Sequence, residues 1–455
     1  MKKRMCKIMA LAMTAAMVVP MAAQTTAFAA DDKEITYWNI AVESPDKDIV
    51  TAAVDKFNKE TESGYTVNSV AIQNDTYKEK LVIAMSSGEC PDMYSSWSGG
   101  PMYEYIDSGF AQPIDDLLDQ SDIKDKLLDA AIEQGSYNGH VYAIPYLNVS
   151  LAGIFYNKDM FKQYGLEEPK TLADLENICA TLKENGITPF ALANASKWTG
   201  SMYFMSLAAR YGGLEPFQNA VAGTGKFTDD CFIKAGEKIQ EWVKNGYFPD
   251  GVNSLSEDDG QAKQLMYQET AGMLLCGSWY TGTFQTDSEE FYQKIGWFPF
   301  PAIDDSDADP TIQIGTVGDQ FISFNCEGDK LAAAFECATD HLSDEVEDMI
   351  YSTGKIAPVK DAGDHIKDPV VKEIFDAAQE ASSIQLWYDQ YLPTSVASAH
   401  LDGLQEVFGL TKTPQEAQEE MQKAMDEYLS TKSDSGAADD TAEEATDDAA
   451  ADDAE

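Results

Sequence analysis

Residues 139–161, GHVYAIPYLNVSLAGIFYNKDMF, decide how this chain is organised. Two β-rich runs, at 141–145 and 152–156, flank a short polar bend at 147–150. On both sides of this stretch, short apolar strands alternate with amphipathic helices, which is the pattern of an α/β unit. We therefore predict that the bend is a crossing between two lobes, and that a ligand held between the lobes would lie against it.

The chain begins with a segment that is typical of an export signal. Four basic residues precede a short apolar run at 8–23, and Ala27 and Ala29 place small side chains where a signal peptidase cleaves. The apolar run contains Thr14 and Pro20 and is shorter than the ~20 residues that span a bilayer. We predict a signal peptide at 1–29 and an exported, extracytoplasmic protein.

The chain is strongly acidic. Its 455 residues carry a formal net charge of −46, and loss of four positive charges with the signal peptide makes this −50. Nucleic acid and anionic lipid are therefore poor partners, whereas a neutral or cationic small molecule stays possible. The remaining stretch of about 425 residues is long enough for two or three lobes, each with its own core.

Six widely spaced cysteines follow the signal peptide. Because a chain of this length can build an ample core without a disulfide scaffold, we expect buried free thiols. The sequence has no paired cysteine motif and its four histidines stand far apart, so we expect neither a metal site nor a cofactor.

The order of elements repeats strand, loop and helix in each half. Strands are predicted at 35–40, 65–71, 91–94, 188–193, 271–276 and 320–325. Helices are predicted at 171–185, 202–211, 229–244, 258–268, 330–341 and 414–429. A further helix is expected to begin at a cap on Asn74 or Asp75 and to end at Gly88. After Lys432 the sequence has ten acidic residues, no base and no large apolar side chain, so 433–455 is expected to be a disordered tail.

The seven tryptophans are distributed unevenly over this pattern. In open α/β sheets ligands bind beyond the carboxyl ends of the strands, and Trp97, Trp198 and Trp279 fall there. Trp38 ends the first strand, and Trp387 lies in a loop. The remaining two lie inside apolar patterns and are most simply core residues: Trp242 and Trp297.

Tryptophan in a cleft suits a sugar ligand. The indole ring offers a flat apolar face, and a pyranose ring offers a matching face of C–H bonds with hydroxyl groups around its rim. Half-buried packing is the alternative for any single tryptophan, but the set as a whole favours contact with a ligand. Because each stacked sugar ring needs its own aromatic face, the number of tryptophans favours an oligosaccharide over a monosaccharide.

Motifs of catalysis are missing from the sequence. There is no Gly-x-Ser-x-Gly elbow and no His-Glu-x-x-His, and AGTGKFT at 222–228 lacks the glycine spacing and the hydroxyl residue of a phosphate-binding loop. A pair of carboxylates could still serve a glycosidase, and the chain has 78 acidic residues. An extracellular carbohydrate-active hydrolase therefore stays open as an alternative to a receptor, as does a receptor for a non-sugar solute such as a peptide.

Five segments occur in the order of a known family. They are YWNIAVESPD at 37–46, the helix with Tyr77 and Leu81 followed by Pro91 and Asp92, the crossing from YAIPY to GIFYNKDMF, TLADLENICATLKENG at 171–186, and ETAGMLLCGSW at 269–279. Together they resemble the family 1 extracellular solute-binding proteins of ABC importers, the carbohydrate-binding group that includes maltodextrin-binding protein. The resemblance covers almost the whole mature chain.

The resemblance implies a two-lobed, periplasmic-binding-protein-like α/β fold. Each lobe is then a mainly parallel sheet flanked by helices, and crossing hinge segments join the lobes. The family pattern assigns 30–147 and 312–355 to the N-lobe, and 148–311 and 356–432 to the C-lobe. It implies closure over a neutral sugar or oligosaccharide and docking of the closed form on the permease subunits of an ABC transporter. We expect a monomer that catalyses no reaction.

The resemblance also implies where the ligand is bound. The family's contact segments follow the first strand and the Pro-Asp pair, and include the inter-lobe bend and the aromatic residues of the second lobe. The residues expected to bind the ligand are Trp38, Asn39, Glu43, Asp92, Ser96, Trp97, Tyr146, Asn148, Trp198, Gly277, Trp279, Asp319, Trp387 and Asp389. One feature departs from many relatives, because Ala30 stands where a lipobox cysteine would be, which puts a lipid anchor in doubt.

Overall fold

The computed structural model describes residues 33–447, with side chains described up to Lys432. The predicted signal peptide at 1–29 lies outside the described residues.

The strands are β1 (Glu34–Asn39), β2 (Thr66–Ala71), β3 (Met93–Ser96), β4 (Ser136–Tyr137), β5 (His140–Val141), β6 (Ala143–Tyr146), β7 (Ser150–Asn157), β8 (Thr188–Phe190), β9 (Ala271–Gly277), β10 (Ile295–Phe298), β11 (Gln313–Thr316), β12 (Gln320–Phe324) and β13 (Ile384–Gln385). The α-helices are α1 (Asp46–Glu60), α2 (Asn74–Ser87), α3 (Gly100–Asp107), α4 (Asp115–Asp119), α5 (Ile123–Lys126), α6 (Asp129–Gln134), α7 (Lys158–Tyr164), α8 (Leu172–Glu184), α9 (Trp198–Gly212), α10 (Glu215–Val221), α11 (Asp230–Lys244), α12 (Gln261–Tyr267), α13 (Tyr280–Asp287), α14 (Glu289–Tyr292), α15 (Gly328–Asp340), α16 (Asp344–Ser352), α17 (Ala362–His365), α18 (Pro369–Glu380), α19 (Tyr388–Tyr391), α20 (Thr394–Phe408) and α21 (Pro414–Asp447). Short 3-10 helices lie at Asn194–Ser196 and Val252–Ser254.

The N-lobe is built on a five-stranded sheet with the order β2-β1-β3-β12-β6. Strand β1 pairs in parallel with β2 and β3, whereas β12 runs antiparallel to β3 and β6. Side chains alternate along β1, so that Ile35 and Tyr37 are fully buried. Helix α1 packs against β2 and places Ile49, Val50 and Phe57 at helical spacing in the same core.

The C-lobe is built on a six-stranded sheet with the order β13-β11-β7-β9-β8, in which β10 also pairs with β7. All residues of β7 are buried, as expected of a strand that is covered on both faces. Strand β7 runs antiparallel to β9, β10 and β11, whereas β8 with β9 and β11 with β13 are parallel pairs. The two-lobed α/β prediction is confirmed. The sheets are mixed rather than mainly parallel, because β7 and β12 enter from the opposite lobe and run against their neighbours.

Three segments connect the lobes. Strand β6 leads from the N-lobe to β7 through 147–149, so the predicted crossing is present, and β11 leads back to β12 through 317–319. The third segment, 356–360, is hydrogen-bonded through its backbone to 126–128 of the N-lobe. The predicted lobe boundaries before residue 312 and after residue 355 therefore both lie too early in the chain. Strand β11 still pairs within the C-lobe beyond 312, and the N-lobe extends beyond 355.

Helix α8 begins at a side-chain cap, and one of the two caps predicted for α2 is present. Thr171 and Asp174 form a capping box at the start of α8, in which each side chain accepts a hydrogen bond from the other residue's N–H group. Gly88 ends α2 in the left-handed conformation. The cap expected on Asn74 or Asp75 is wrong, because Gln73 occupies that position and its side chain makes no capping hydrogen bond.

The six cysteines after the signal peptide are free thiols, and five of them are buried. The structure thus agrees with the expectation of buried thiols, apart from the partly exposed Cys90. Between residues 33 and 447, no helix is both long and apolar enough to cross a membrane.

The last helix extends beyond the end predicted for it. Helix α21 continues to Asp447, so the backbone of 433–447 is helical where the sequence predicts disorder. Alanine is frequent in this segment, and it favours helix through its intrinsic propensity. Residues 448–455 lie outside the described part of the chain, and disorder there stays a prediction.

Candidate ligand-binding cleft

A cavity of about 240 Å³ lies between the two lobes. Its N-lobe wall is formed by the loop after β1, by the first turns of α2, and by Trp97 after β3. Its C-lobe wall is formed by the first turns of α9, the turn after β9, and the segments around 257–263 and 387–390. Asp319 of the second crossing, Gln320 at the start of β12 and Lys355 complete the lining. The cavity therefore lies at strand ends and against a crossing segment.

Three residues of the C-lobe, Trp198, Trp279 and Trp387, form a continuous tryptophan wall. The ring centroids of Trp198 and Trp279 are 6.0 Å apart with 58° between the ring planes, and those of Trp279 and Trp387 are 5.9 Å apart with 65°. Trp387 is 2% exposed, whereas Trp198 and Trp279 are partly exposed. Tilted aromatic neighbours stabilise one another, so the wall is held in place by its own members.

The local sequence explains how Trp279 is presented to the cavity. Strand β9 ends at Gly277, and a Cβ atom at that position would lie 2.0 Å from the Trp279 ring, so only glycine leaves room for it. Ser278 Oγ donates a hydrogen bond to Val149 O and accepts one from Leu151 N–H. These bonds hold the turn before Trp279 against the first crossing.

Polar atoms without partners lie in and beside the tryptophan wall. The indole Nε1 of Trp198, the indole Nε1 of Trp387 and the carboxylate Oε2 of Glu257 are shielded from solvent and make no hydrogen bond within the described chain. Buried polar groups are nearly always hydrogen-bonded in native proteins. All three residues line the cavity, so the cleft contains two donors and one acceptor that the protein itself leaves unpaired.

Glu257 is held in the cleft by Tyr280, whose Oη donates a hydrogen bond to Glu257 Oε1. Burial raises the pKa of Glu257 to about 7, against the lowering effects of the Tyr280 hydrogen bond and of the nearby Lys263. The carboxyl group is thus able to change its charge near neutral pH.

Asp319 lies where two crossing segments meet. Its backbone N–H donates a hydrogen bond to Asn148 O at 2.7 Å. The residue is 8% exposed, and burial raises the pKa of its carboxyl group to about 7, although Lys355 acts in the opposite direction. Lys355 is itself ion-paired with Asp46.

Direct polar contacts join the lobes across the cleft. Lys78 Nζ of α2 lies 3.3 Å from Asp389 Oδ2 of the C-lobe, and 5.0 Å from the centroid of the Trp97 ring. The N–H group of Asp75, in the first turn of α2, donates to Asp258 Oδ2 at 3.1 Å. The start of α2 therefore contacts the C-lobe at two points.

This two-lobed architecture and its cleft match a known family. The profile of the bacterial extracellular solute-binding proteins matches residues 41–338. The chain belongs to this family.

Three similar proteins illustrate the relationship of this solute-binding protein to others. An uncharacterized ABC transporter extracellular-binding protein of Pyrococcus horikoshii is 32% identical over 228 residues, which cover 50% of each chain. The multiple sugar-binding protein of Streptococcus mutans is 30% identical over 178 residues, 36% of this chain and 39% of that protein. The matches thus span about half or less of these two relatives. A structure from a study of xylan utilization by Caldanaerobius polysaccharolyticus is 29% identical with a TM-score of 0.79, covering 86% of this chain and 99% of that one.

Half of the fourteen residues expected to bind the ligand line the cavity of this solute-binding protein. They are Glu43, Trp97, Trp198, Trp279, Asp319, Trp387 and Asp389. Most of them follow strands, as expected of ligand sites in α/β sheets. Their contact with a ligand stays a prediction.

Asn148 and Gly277 support the cleft without lining it. Asn148 is buried, and its Oδ1 accepts a hydrogen bond from Ile356 N–H at 2.9 Å while its Nδ2 donates to Ser278 Oγ at 3.3 Å. Gly277 lies beneath the Trp279 ring. Both residues therefore hold other parts of the cleft in position.

Trp38, Asn39 and Asp92 do not line the cavity. Trp38 packs against the small N-lobe core cluster that contains Tyr77, and Asn39 is buried and closes the turn after β1 by accepting from Ala41 N–H at 3.0 Å. Asp92 precedes β3, at the opposite end of that strand from Trp97, where it is ion-paired with Lys330 at 2.6 Å.

Ser96 and Tyr146 also lie away from the cavity, within the N-lobe sheet. Ser96 Oγ is 2.7 Å from Ser323 Oγ of the neighbouring strand β12. Tyr146 is fully buried, and its Oη donates to Gln320 Oε1 at 2.9 Å. Since Gln320 lines the cavity, Tyr146 supports it from behind.

Sequence reasoning missed six charged residues that line the cavity: Asp46, Lys78, Glu257, Asp258, Lys263 and Lys355. Lys78 lies in α2, which follows β2, so the strand-to-helix pattern did carry a signal for it. Glu257 and Asp258 lie between a 3-10 helix and α12, whereas Lys263 lies within α12. No strand end or local motif marks these three residues.

Proposed function

We propose that this protein captures a neutral oligosaccharide in its inter-lobe cleft and delivers it to the permease of an ABC transporter. The observation that carries the proposal is the tryptophan wall, with two unpartnered indole N–H groups and the Glu257 carboxylate in the same cavity lining. The partly exposed faces of Trp198 and Trp279 suit consecutive sugar rings. The buried donors and acceptor suit the hydroxyl groups at the rims of those rings.

The relatives support the same class of ligand. One is a multiple sugar-binding protein, and the structure with a TM-score of 0.79 comes from work on xylan utilization. A melibiose/raffinose/stachyose-binding protein of Bacillus subtilis is 23% identical over 60% of this chain. ABC transporter membership and an extracytoplasmic location follow the family to which the chain belongs.

The proposal is tested by calorimetric titration of the purified protein with xylotetraose, chitotetraose and stachyose, and with tetra-alanine as a non-sugar ligand. We expect one-to-one binding of at least one sugar and no binding of the peptide. Binding of the peptide alone would favour a receptor for a non-sugar solute.

A pair of variants connects the binding to the tryptophan wall. Trp198→Phe keeps an aromatic face but removes the unpartnered indole donor, so it should weaken binding of the same sugar by about 0.5–1.5 kcal/mol. Trp297→Phe is the matched control, because the indole Nε1 of Trp297 is also unpartnered but lies in the C-lobe core. The control should leave the affinity unchanged.

A hydrolase is distinguished from a receptor by the fate of the bound sugar. The family is one of solute-binding proteins, and we propose that this member likewise catalyses no reaction. Chromatography after prolonged incubation of the protein with the bound sugar should recover it intact. Conversion of many equivalents of sugar per protein would favour the hydrolase instead.

A further inference from the structure

The basic residues of the cleft are already occupied by carboxylates of the protein. Lys78 is paired with Asp389 at 3.3 Å, and Lys355 is paired with Asp46. Lys263 lies 2.9 Å from Asp287 Oδ2, and 3.5 Å from Glu43. These three lysines are the basic residues among the described lining of the cavity. The cleft therefore holds no uncommitted cation for a negatively charged ligand.

Three carboxyl groups that line the cavity have no such ion pair: Glu257, Asp258 and Asp319. Asp258 Oδ2 accepts the N–H group of Asp75. Glu257 Oε1 accepts from Tyr280 Oη, but Glu257 Oε2 is shielded from solvent and has no partner. A buried acceptor without a partner favours a ligand that brings a hydrogen-bond donor.

We infer that the cleft selects its sugar by charge: Glu257 accepts a hydrogen bond from a hydroxyl group of the ligand, and a sugar that carries a carboxylate group is refused. The inference rests on the proposed function as a sugar receptor. It names the specificity-determining residue and the ligand class that is excluded, namely sugars with uronic-acid units.

The physical basis is the cost of bringing like charges together in a desolvated site. A ligand carboxylate beside Glu257 would lose its hydration and would meet a second anion instead of a cation. A hydroxyl group carries no charge and can donate to Oε2 at no such cost. Neutral sugars and their acidic counterparts should therefore separate in affinity.

The experiment compares a neutral sugar with its acidic counterpart by calorimetry. The probes are xylotetraose with a glucose branch against xylotetraose with a glucuronic-acid branch, and stachyose against stachyose oxidised at C6 of its terminal galactose to the uronic acid. At pH 8 the acidic form should bind at least about tenfold more weakly than the neutral form. Equal affinity of the two forms for the wild-type protein would overturn the inference.

A titration of the wild-type protein supplies a second, variant-free readout. Burial raises the pKa of Glu257 to about 7, so the tenfold preference should shrink between pH 8 and pH 5.5 as this carboxyl group becomes neutral. The sugar carboxylate, with an ordinary pKa, stays charged over that range.

The groups that face Glu257 are Tyr280, Lys263, Asp258 and Asp75. Asp319 has a pKa raised to about 7 by burial and titrates in the same range. A preference that does not change with pH would contradict the role of these carboxyl groups.

Glu257→Gln separates Glu257 from Asp319. The variant keeps an acceptor for Tyr280 but removes the charge, so it should reduce the preference at pH 8 severalfold and weaken its pH dependence. Glu237→Gln on α11 is the matched control, because it removes one charge from an exposed site and should leave the preference unchanged. An equal effect of the two variants would overturn the assignment to Glu257.

The outcomes also distinguish this inference from the proposed function. If neutral and acidic sugars bind alike, the protein is a sugar receptor without charge selection. If neither form of any probe binds, the proposed function itself fails.

Discussion

At the scale of single residues, Trp279 has the most constrained position in the cleft. Its ring stands between those of Trp198 and Trp387, and it lies so close to Gly277 that a Cβ atom there would overlap it. The ring is nevertheless partly exposed, and it lines the cavity. A side chain that is fixed on three sides and open on the fourth is preorganised for stacking on a ligand.

Replacement of Trp279 tests whether it is the leading single contact for the ligand. Trp279→Ala should remove about 1–3 kcal/mol of binding free energy, by analogy with aromatic stacking on nucleic-acid bases. Because the ring is partly exposed, the loss of unfolding free energy should be smaller than the about 3–5 kcal/mol expected for a fully buried tryptophan. Calorimetric titration and a melting curve measure the two effects. Wild-type affinity in a folded variant would remove Trp279 from the site.

Trp242 is the contrasting residue for that experiment. It is fully buried in the C-lobe, and its indole Nε1 donates to Glu176 Oε1 at 2.8 Å. Trp242→Ala should therefore destabilise the fold by about 3–5 kcal/mol. A comparable loss of stability in Trp279→Ala would mean that Trp279 is also a packing residue.

Asp319 leads to a prediction about pH and stability. Burial raises the pKa of its carboxyl group from 3.8 to about 7 in the folded protein. A group with a raised folded-state pKa stabilises the fold in its protonated form, so its contribution is fully present below about pH 4 and is lost as the pH rises through about 7. In Asp319→Asn the side chain is neutral at every pH, and this loss should disappear. Denaturant unfolding at pH 4.5 and pH 7.5 measures the change in unfolding free energy between the two pH values for each protein. Asp364→Asn, at an exposed site, is the control, and a wild-type pH dependence in Asp319→Asn would contradict the prediction.

The sequence predicts some residues of the cleft better than others, for a physical reason. Trp97 and Trp279 could be found because each follows a strand, and the ends of neighbouring strands meet in space. Asp92 was misplaced because the Pro-Asp pair precedes β3 and so lies at the wrong end of the strand. Glu257 could not be found, because its partner Tyr280 is distant in the chain and no local pattern brings the two together.

At the scale of elements, the crossing segments are held together by Asn148. Its backbone O accepts from Asp319 N–H in the second crossing, and its side-chain Oδ1 accepts from Ile356 N–H in the third. The alternation of apolar residues predicted where the first crossing lies. The sequence pattern did not show that Asn148 is hydrogen-bonded to the second and third crossing segments, because those bonds join residues that are far apart in the chain.

Removal of the Asn148 side chain should destabilise the protein. In Asn148→Ala the buried N–H group of Ile356 loses its partner, which should cost about 1–3 kcal/mol of unfolding free energy. Urea denaturation measures the cost. Asn68→Ala is the matched control, because it removes an exposed hydrogen bond to Glu34 and should change stability by less than about 0.5 kcal/mol. Equal effects of the two substitutions would show that Asn148 does not hold the crossings together.

At the scale of the whole molecule, the two lobes are joined by weak contacts across the cleft. Lys78 is 34% exposed in its ion pair with Asp389, and exposed pairs contribute about 0–1 kcal/mol. The hydrogen bond from Asp75 N–H to Asp258, the ion pair of Lys263 with Glu43, and two exposed hydrogen bonds from Thr394 to Glu104 are further contacts of this kind. Such contacts are too weak to keep a cleft shut without help, so we expect the unliganded protein to open about its three crossings.

A sugar that contacts both walls of the cleft should shift the equilibrium between the open and closed forms, which gives the last prediction. Contacts to Trp97 on one lobe and to the tryptophan wall on the other exist together only in the closed form, so the ligand binds that form more tightly and raises its population. The radius of gyration in solution scattering should therefore decrease at saturating sugar. Lys78→Ala removes one of the direct contacts between the lobes, so it should open the unliganded protein further while leaving the compact liganded state in place. An unchanged radius at saturation in the wild-type protein would contradict closure, because a rigid cleft would bind the sugar without bringing the lobes together.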